Sequence, residues 1–559
     1  MGEANKILRL QREIYAAYER ELQAAGVLGP PELVRLKKKL YRRLSRTRNL
    51  VVISREELVR ETAGAALLLV GDYHSLPRCQ QSAARFLADL TRAAGRPPLL
   101  VLECFSTSHD PLLASWRRGS IDLNTLRRIS AFDERWGFPW EGYGYLLARA
   151  AQEGIEVRGL EASPPRTGIA ARDRDMAARL AALAGAGPER QVVAMVGDLH
   201  LAREALPTAL DEFGLRPLRV FQNMEPLYWR LAAGGWEGGG CDLRLGRESF
   251  CILETHPLLK VQSSLNWLDG LDTLGGEEEE SEGLTSRFLH LAETIASWLG
   301  LPFSPPEHLQ VLATDPMEFL EKLGRSGAGR EEVGRAMDEI RSTGSHFHPP
   351  SGLVYLANPT INEAAEAATA FLRRILVGPL GPAPGGDDDL ALFLDRLVGH
   401  ALGWLGSLLI NPGRRPLPTA RLARLFAEGN PRRVARTAMA LARRILSHLQ
   451  EESVPAPALR RALAGRKPET LLLGAKILGE RIGQSWFQAL QEDRLARRTL
   501  KEFFCVRPQE KGGFLESLAK LVWGIEMAEI AAVEPTTPTG ALPGEAPGPR
   551  GGGGHEPQD

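Results

Sequence analysis

Cysteine is scarce in this chain. The five residues, Cys79, Cys104, Cys241, Cys251 and Cys505, are an odd and scattered set in 559, with no C-x-x-C pair and no knuckle spacing. That excludes a disulfide-stapled scaffold and points to a reducing compartment. An excess of charge of one sign is missing too, since Lys+Arg and Asp+Glu number 69 each. No overall field therefore draws the chain to nucleic acid, which is not an expected partner. Nowhere do roughly 18–20 apolar residues run uninterrupted, the length that a bilayer crossing takes. The most apolar helical stretch, LVGHALGWLGSLLI, is short, carries His400 and reads as a buried core helix. The first residues, MGEANKILRLQREIY, are charged throughout and show neither the apolar h-region of a secretion signal nor a lipid-accepting cysteine, so a cytoplasmic location is the expectation. A Walker loop, G-x-G-x-x-G, H-E-x-x-H and G-x-S-x-G are all absent in their required contexts, which leaves nucleotide-dependent and serine-hydrolase readings unsupported.

What is present is an ordinary globular composition, 43% hydrophobic and 25% charged, in a chain long enough for several domains. Residues 1–50 show helical spacing (Ile7, Leu10, Ile14, Tyr18), a GPPE break and a second helical stretch, so they predict a helical hairpin. The second stretch, Arg35–Arg48, is strongly basic, with Leu36, Leu40 and Leu44 at i,i+4. It is a candidate contact with a peripheral membrane surface or an acidic protein, and the plainer reading is a solvated helix whose leucines face their own core. From 51 to 270 the pattern alternates: AALLLVG, a helix through Phe86 and Leu90, PLLVLEC, a helix around Tyr145–Gln152, IEVRGL, a helix from Asp173, QVVAMVG, LAREALPTAL and LRVFQ. Apolar runs without alternation, separated by helices, predict an α/β fold with a mostly parallel sheet flanked by helices. CDLRLG and FCILET then read as an antiparallel edge pair. An acidic linker is expected at 271–284, an all-α domain at 285–533, and a disordered Pro/Gly-rich tail at 534–559.

The chemistry-bearing residues fall at strand ends. GDYHS places Gly71, Asp72 and His74 after the first strand, the second strand delivers Glu103, IEVRGL leads to Glu161, and QVVAMVGDLH ends in Gly197, Asp198 and His200. In open parallel sheets ligands bind outside the carboxyl ends of the strands. Glycine permits a tight turn off a buried strand. Two imidazoles and a carboxylate are a reasonable ligand set for zinc or another divalent ion, with Asp72 or Asp198 orienting a ring from behind. As an enzyme site, His74, Glu103 and His200 would be the catalytic set, His74 and His200 holding the ion and Glu103 acting as base or ligand. Weaker candidates are His346 and His348 before a Pro-Pro break, Asn223, Glu225, Tyr228 and Trp229 beside the crevice, and Cys79 and Cys104 near the first two motifs; for these, packing is the plainer reading.

The run GDYHSLPRCQQSAARFL, then LVLECF, then FDERWGFPWEGYGYLLARAAQEGIEVRGLEA, then VGDLHLA resembles the ChaN-like family of haem-binding proteins. That family sits in the wider Tiki superfamily, with erythromycin-esterase-like enzymes and Tiki metalloproteases. The resemblance covers roughly 60–260 and places the family's two G-x-x-H motifs on Gly71/His74 and Gly197/His200, with its acidic residue on Glu103. It implies an α/β fold and haem or iron handling in one branch, metal-dependent hydrolysis in the others. Family members are usually exported lipoproteins, whereas this chain shows neither that signal nor a lipid-accepting cysteine and carries a large helical extension. A haem site needs an axial ligand and an apolar slot. Tyr143, within the aromatic stretch Trp136–Tyr145, is the candidate tyrosinate. The leading expectation is thus a haem- or metal-ligand-binding protein, with Gly71, Asp72, His74, Tyr143, Gly197 and His200 around the cofactor. A metal-dependent hydrolase and a non-catalytic interaction scaffold are the alternatives, and the helical region is a candidate homodimer contact.

Overall fold

A computed structural model describes residues 2–523, apart from residues 28, 165–167, 188, 237–238, 273–276, 307, 314, 379–388, 418, 427–429, 452–455 and 507–512. The expected disordered tail, 534–559, lies outside the described residues.

Among the described residues the larger sheet has strands β1 (Val51–Ile53), β2 (Leu67–Asp72), β3 (Leu99–Ser106), β4 (Glu156–Glu161), β5 (Val192–Gly197), β6 (Leu218–Gln222), β7 (Cys241–Arg244) and β8 (Ser249–Leu253), in the order β1-β7-β8-β6-β2-β5-β3-β4. From β8 to β4 neighbours run parallel, while β7 and β1 form an antiparallel edge. The sheet is mostly parallel, and β7 and β8 are the antiparallel pair that CDLRLG and FCILET predict. The β1 edge was not anticipated, because its three residues leave Val51 and Val52 exposed and give no buried run to read.

Both faces of the central strands are covered. Leu68 and Val70 of β2 join one apolar core and Leu67 and Leu69 the other, as successive side chains alternate across the sheet. The main helices up to β5 are α1 (Glu3–Ala24), which packs away from the sheet, and α2 (Pro31–Ser45), α3 (Pro77–Ala94), α4 (Trp140–Gln152) and α5 (Ile169–Ala186), which flank the strands. Proline opens α3 where a missing N–H costs nothing, and Gly95 at φ 66° ends it in the left-handed conformation. α3 and α4 cover one face of the sheet with Phe86, Leu87, Leu146 and Leu147, and α5 covers the other with Met176, Ala177 and Leu180.

The two amino-terminal helices form, but they do not share a core. Ile7, Leu10, Ile14, Tyr18 and Leu22 of α1 lie in the helical core of the carboxyl-terminal region, whereas Leu40 and Leu44 of α2 are buried in the sheet's second core. The two helices touch, with Lys37 of α2 3.1 Å from Glu19 of α1, but periodicity shows that a face is apolar without showing which core it meets. The leucine stripe of the basic helix is buried against its own protein, and Lys39 and Arg43 pair with Glu204.

Helix α6 (Pro257–Asp272) leaves the sheet, and α7 (Glu277–Leu299) begins inside the acidic run, so residues 277–283 are helical where a linker was expected. The carboxyl-terminal region is helical, with α8 (Arg330–Thr343), α9 (Ile361–Val377), α10 (Asp389–Ile410), α11 (Pro431–Leu449) and α12 (Pro468–Gln491) prominent. One addition qualifies the all-α reading: β9 (Gln310–Leu312), β10 (Ser345–His348) and β11 (Leu353–Leu356) form a small sheet in the order β10-β11-β9. Strands of three or four residues are too short to separate from helix by periodicity.

α10 holds the one stretch among the described residues long and apolar enough to cross a membrane, Leu390–Ile410, and most of it is buried inside the protein. α12 approaches it through glycines one turn apart. A Cβ on Gly479 would stand 2.5 Å from Cβ of His400 and 2.7 Å from the carbonyl oxygen of Leu397, and Gly483 is similarly tight against Ala401 and Trp404. These contacts are largely backbone, so added volume must separate the helices. Gly479→Val should therefore cost about 1–3 kcal/mol of stability, visible as a lower midpoint in a urea melt; an unchanged midpoint would refute the close approach.

Candidate functional site

β2, β3, β4 and β5 run parallel, so their carboxyl ends share one rim, where Asp72 pairs in register with Gly197. His74, Glu103 and His200 meet there. A Cβ on Gly197 would lie 3.1 Å from Nε2 of His74 and 3.7 Å from Oε2 of Glu103. A Cβ on Gly71 would collide with Oδ1 of Asp198. Neither glycine has a positive φ. Both are needed because other groups approach the backbone closely, and not for the tight turn that the sequence suggested.

Asp72 is the anchor of the first motif. Its Oδ2 lies 2.9 Å from Nδ1 of His74 and accepts from the Tyr143 hydroxyl at 2.6 Å, and its Oδ1 accepts from Nε2 of Gln80 at 2.5 Å. Burial lowers the pKa of His74, but the hydrogen bond and charge of Asp72, helped by Glu103, outweigh it and the net shift is upward. Trp136 and Phe138 pack on the His74 ring at 4.7 and 4.9 Å.

Glu103, 4% exposed, is the hub of the second half. Its Oε2 accepts from the Gly197 N–H at 2.8 Å, and its Oε1 accepts from Arg172 at 2.5 Å and lies 3.4 Å from Nε2 of His200. Arg172 also binds Glu161, while Nδ1 of His200 meets Oδ1 of Asp173 at 2.5 Å. Burial would raise the Glu103 pKa, yet His200, His74 and Arg172 hold it well below the usual carboxylate range. Burial likewise opposes the charged form of His200, but Glu103 and Asp173 lift its pKa to about 10. At neutral pH His200 is an imidazolium between two carboxylates.

Asp198 turns away from His200. It faces Lys260 of α6, 1% exposed, whose ammonium lies 3.3 Å from Asp198 and 3.3 Å from Glu225 and donates to the carbonyl of Asn223 at 3.2 Å. Burial raises the Asp198 pKa, only partly offset by Lys260, to about 6. The Tyr41 hydroxyl of α2 donates to Glu225 at 2.6 Å. Arg172, Asp173, Lys260, Gln80 and Tyr41 escaped the sequence reading. A lone lysine inside the apolar run HPLLKV was the usable signal for Lys260.

Over this rim opens a cavity of about 510 Å³, lined by Asp72, His74, Glu103, Gly197, Asp198, Arg172 and His200, and also by Leu22, Leu33 and Lys37 of the amino-terminal helices and Ser264 and Trp267 of α6. Phe138 lines it and stacks on Trp267 at 4.6 Å. Tyr143 does not line it. Its hydroxyl is buried behind Asp72 and burial raises its pKa well above the ordinary value, so the expected tyrosinate ligand is instead a support for the Asp72–His74 pair. Burial also keeps Cys79, at about 12, and Cys104 as thiols. Asn223 caps the next turn, accepting from the N–H groups of Glu254 and Thr255, and His346 and His348 lie on the separate small sheet.

His74, Glu103 and His200 thus converge, but their donor set suits a divalent ion poorly. The oxygens of Glu103 are taken up by Arg172, Gly197 and His200, and His200 has no free lone pair. Among the described residues no group of three or more His, Cys, Asp or Glu side chains is arranged to hold a metal ion.

The raised pKa of His200 sets a pH signature. Its interactions contribute fully below the unfolded value near 6.5 and fade as pH rises through about 10. The melting temperature of the wild type should therefore fall between pH 7 and 10 more steeply than that of His200→Gln; parallel curves would exclude a charged His200.

No curated protein matches this chain. A solved structure described as cofacial heme binding to ChaN of Campylobacter jejuni is 13% identical over 36% of this chain and 93% of that one, with a TM-score of 0.28. Residues 58–168, which carry Gly71, Asp72, His74, Glu103 and Tyr143, match the model of the family described as haem-binding uptake, Tiki superfamily, ChaN.

Proposed function

We propose that the cavity at the carboxyl edge of the sheet binds haem, with His74 as the axial ligand. The observation that carries this reading is the state of the His74 ring. Nδ1 is paired with Asp72 at 2.9 Å, and Nε2, on the cavity side against Gly197, has no hydrogen-bond partner among the described residues. A histidine that donates one ring N–H to a carboxylate presents the other nitrogen's lone pair in a fixed direction, which is how metal-ligating imidazoles are held.

The walls suit a flat apolar ring. Leu22, Leu33, Phe138, Ile169 and Trp267 supply apolar surface, and Lys37, paired with Glu19 at 3.1 Å, stands at the lining. The volume falls within the roughly 300–1,000 Å³ of small-molecule and cofactor sites. Bound haem would supply an iron centre; the chain's own contribution is the axial nitrogen, its tautomer and the apolar walls beside it.

A hydrolase reading fits the same residues less well. A general base works best with a pKa near the working pH, and Glu103 is held far below it with its lone pairs engaged.

Titration of the purified chain with haem, followed by the Soret band, tests the proposal. The wild type should saturate. Asp72→Asn should weaken binding about 10–100-fold by loosening the imidazole, and His74→Ala should weaken it further and move the band. Tyr143→Phe should leave the band position unchanged. A His74→Ala protein that titrates like the wild type would overturn the ligand assignment.

A further inference from the structure

A second cavity, of about 60 Å³, lies in the helical region and shares no lining residue with the first. Arginine dominates its polar wall: Arg373 and Arg374 of α9 and Arg396 of α10, with His346 of β10 and His400 of α10. Arg373 is paired with Asp395, and Arg374 with Glu339. The cavity's carboxylates are also matched, Glu339 by Arg374 and His346, and Glu366 by Arg414 at 2.7 Å and Lys476 at 3.5 Å.

Arg396 is different. It is partly buried and makes no ion pair or hydrogen bond among the described residues, and Asp395 and Asp338 offset the burial that lowers its pKa only in part. A guanidinium at the wall of a small cavity, with no ion pair or hydrogen bond among the described residues and with burial lowering its pKa, is a donor that an anion can meet.

A second polar atom is also unmatched. Nε2 of His346 is buried with no hydrogen-bond partner among the described residues, while its Nδ1 lies 2.6 Å from Oε2 of Glu339. The carboxylate accepts, so Nδ1 carries the proton and Nε2 offers a lone pair. Burial lowers the pKa of this ring to about 4, which keeps it neutral near pH 7. The cavity therefore presents a cation and a hydrogen-bond acceptor. A water needs roughly 10–15 Å³ by this kind of measure, so the space takes a group of about four or five heavy atoms.

We propose that this cavity binds phosphate, a tetrahedral oxyanion whose charge meets Arg396 and whose remaining P–OH donates to Nε2 of His346. Sulfate has the same shape and carries no proton near neutral pH, so the acceptor discriminates between the two.

The test uses the full chain, with thermal melts in sodium phosphate, sulfate or chloride at equal ionic strength and 31P line widths of added phosphate. Phosphate should raise the melting temperature by several degrees more than sulfate or chloride, and the 31P line should broaden. Arg396→Gln should lose both effects, and Arg396→Lys should keep part of them. Equal shifts in all three salts, sulfate matching phosphate, or an undiminished phosphate effect in Arg396→Gln would each overturn the proposal. Should Arg396→Gln fail to fold, the wild-type 31P line decides: broadening that sulfate does not reverse supports the site, and an unbroadened line overturns it.

Discussion

One buried carboxylate organises the rim of the sheet. Glu103 sits in the second half of β3 where water hardly reaches, so its charge has to be met by protein donors. They come from three directions: the Gly197 N–H of β5, the guanidinium of Arg172 and the ring of His200. Each donor imposes a further condition. Arg172 brings Glu161 at the end of β4, and charged His200 brings Asp173, the residue beside Arg172 on α5. The result is an alternating series, Glu161–Arg172–Glu103–His200–Asp173, that ties three strand ends to the first turn of one helix. Removing a partner from such a series leaves a buried charge unmatched, which typically costs about 3–5 kcal/mol.

The cavity is not the property of the sheet alone. α6 places Leu258, Val261 and Leu265 in the helical core while Lys260, on the same helix, reaches Asp198 and Glu225 at the strand ends. Ser264 and Trp267 then face the cavity from the next turns, and Leu22 of α1 closes it from a helix whose Ile7, Leu10, Ile14 and Tyr18 also belong to the helical core. The helical region therefore walls the site, and a ligand held there touches both parts of the chain.

Much of this was legible in the sequence, for a physical reason. Parallel strands buried on both faces leave apolar runs, the residues after each run lie at one rim, and so Gly71, His74, Glu103, Gly197 and His200 could be placed from local pattern. The partners could not. Arg172 lies 69 residues from Glu103, Asp173 27 from His200 and Lys260 62 from Asp198, and no local spacing encodes such meetings. Tyr143 was misread for a related cause: an aromatic-rich stretch announces packing surface, but only burial shows which hydroxyl faces a cavity and which is buried behind Asp72. The amino-terminal helices teach the same lesson, since their stripes were visible while the two separate cores that receive them were not.

The two G-D-x-H motifs are alike in sequence and opposite in use. Asp72 gathers Tyr143, Gln80 and His74, so the first imidazole is fixed with one nitrogen committed and the other facing the cavity. Asp198 instead turns to Lys260, which leaves the second imidazole to find Asp173 and Glu103, and both of its nitrogens are committed. A lysine on α6 thereby decides what the second motif can do. One ring nitrogen rather than two is thus left without a partner among the described residues at the cavity, beside a charged, hydrogen-bonded wall.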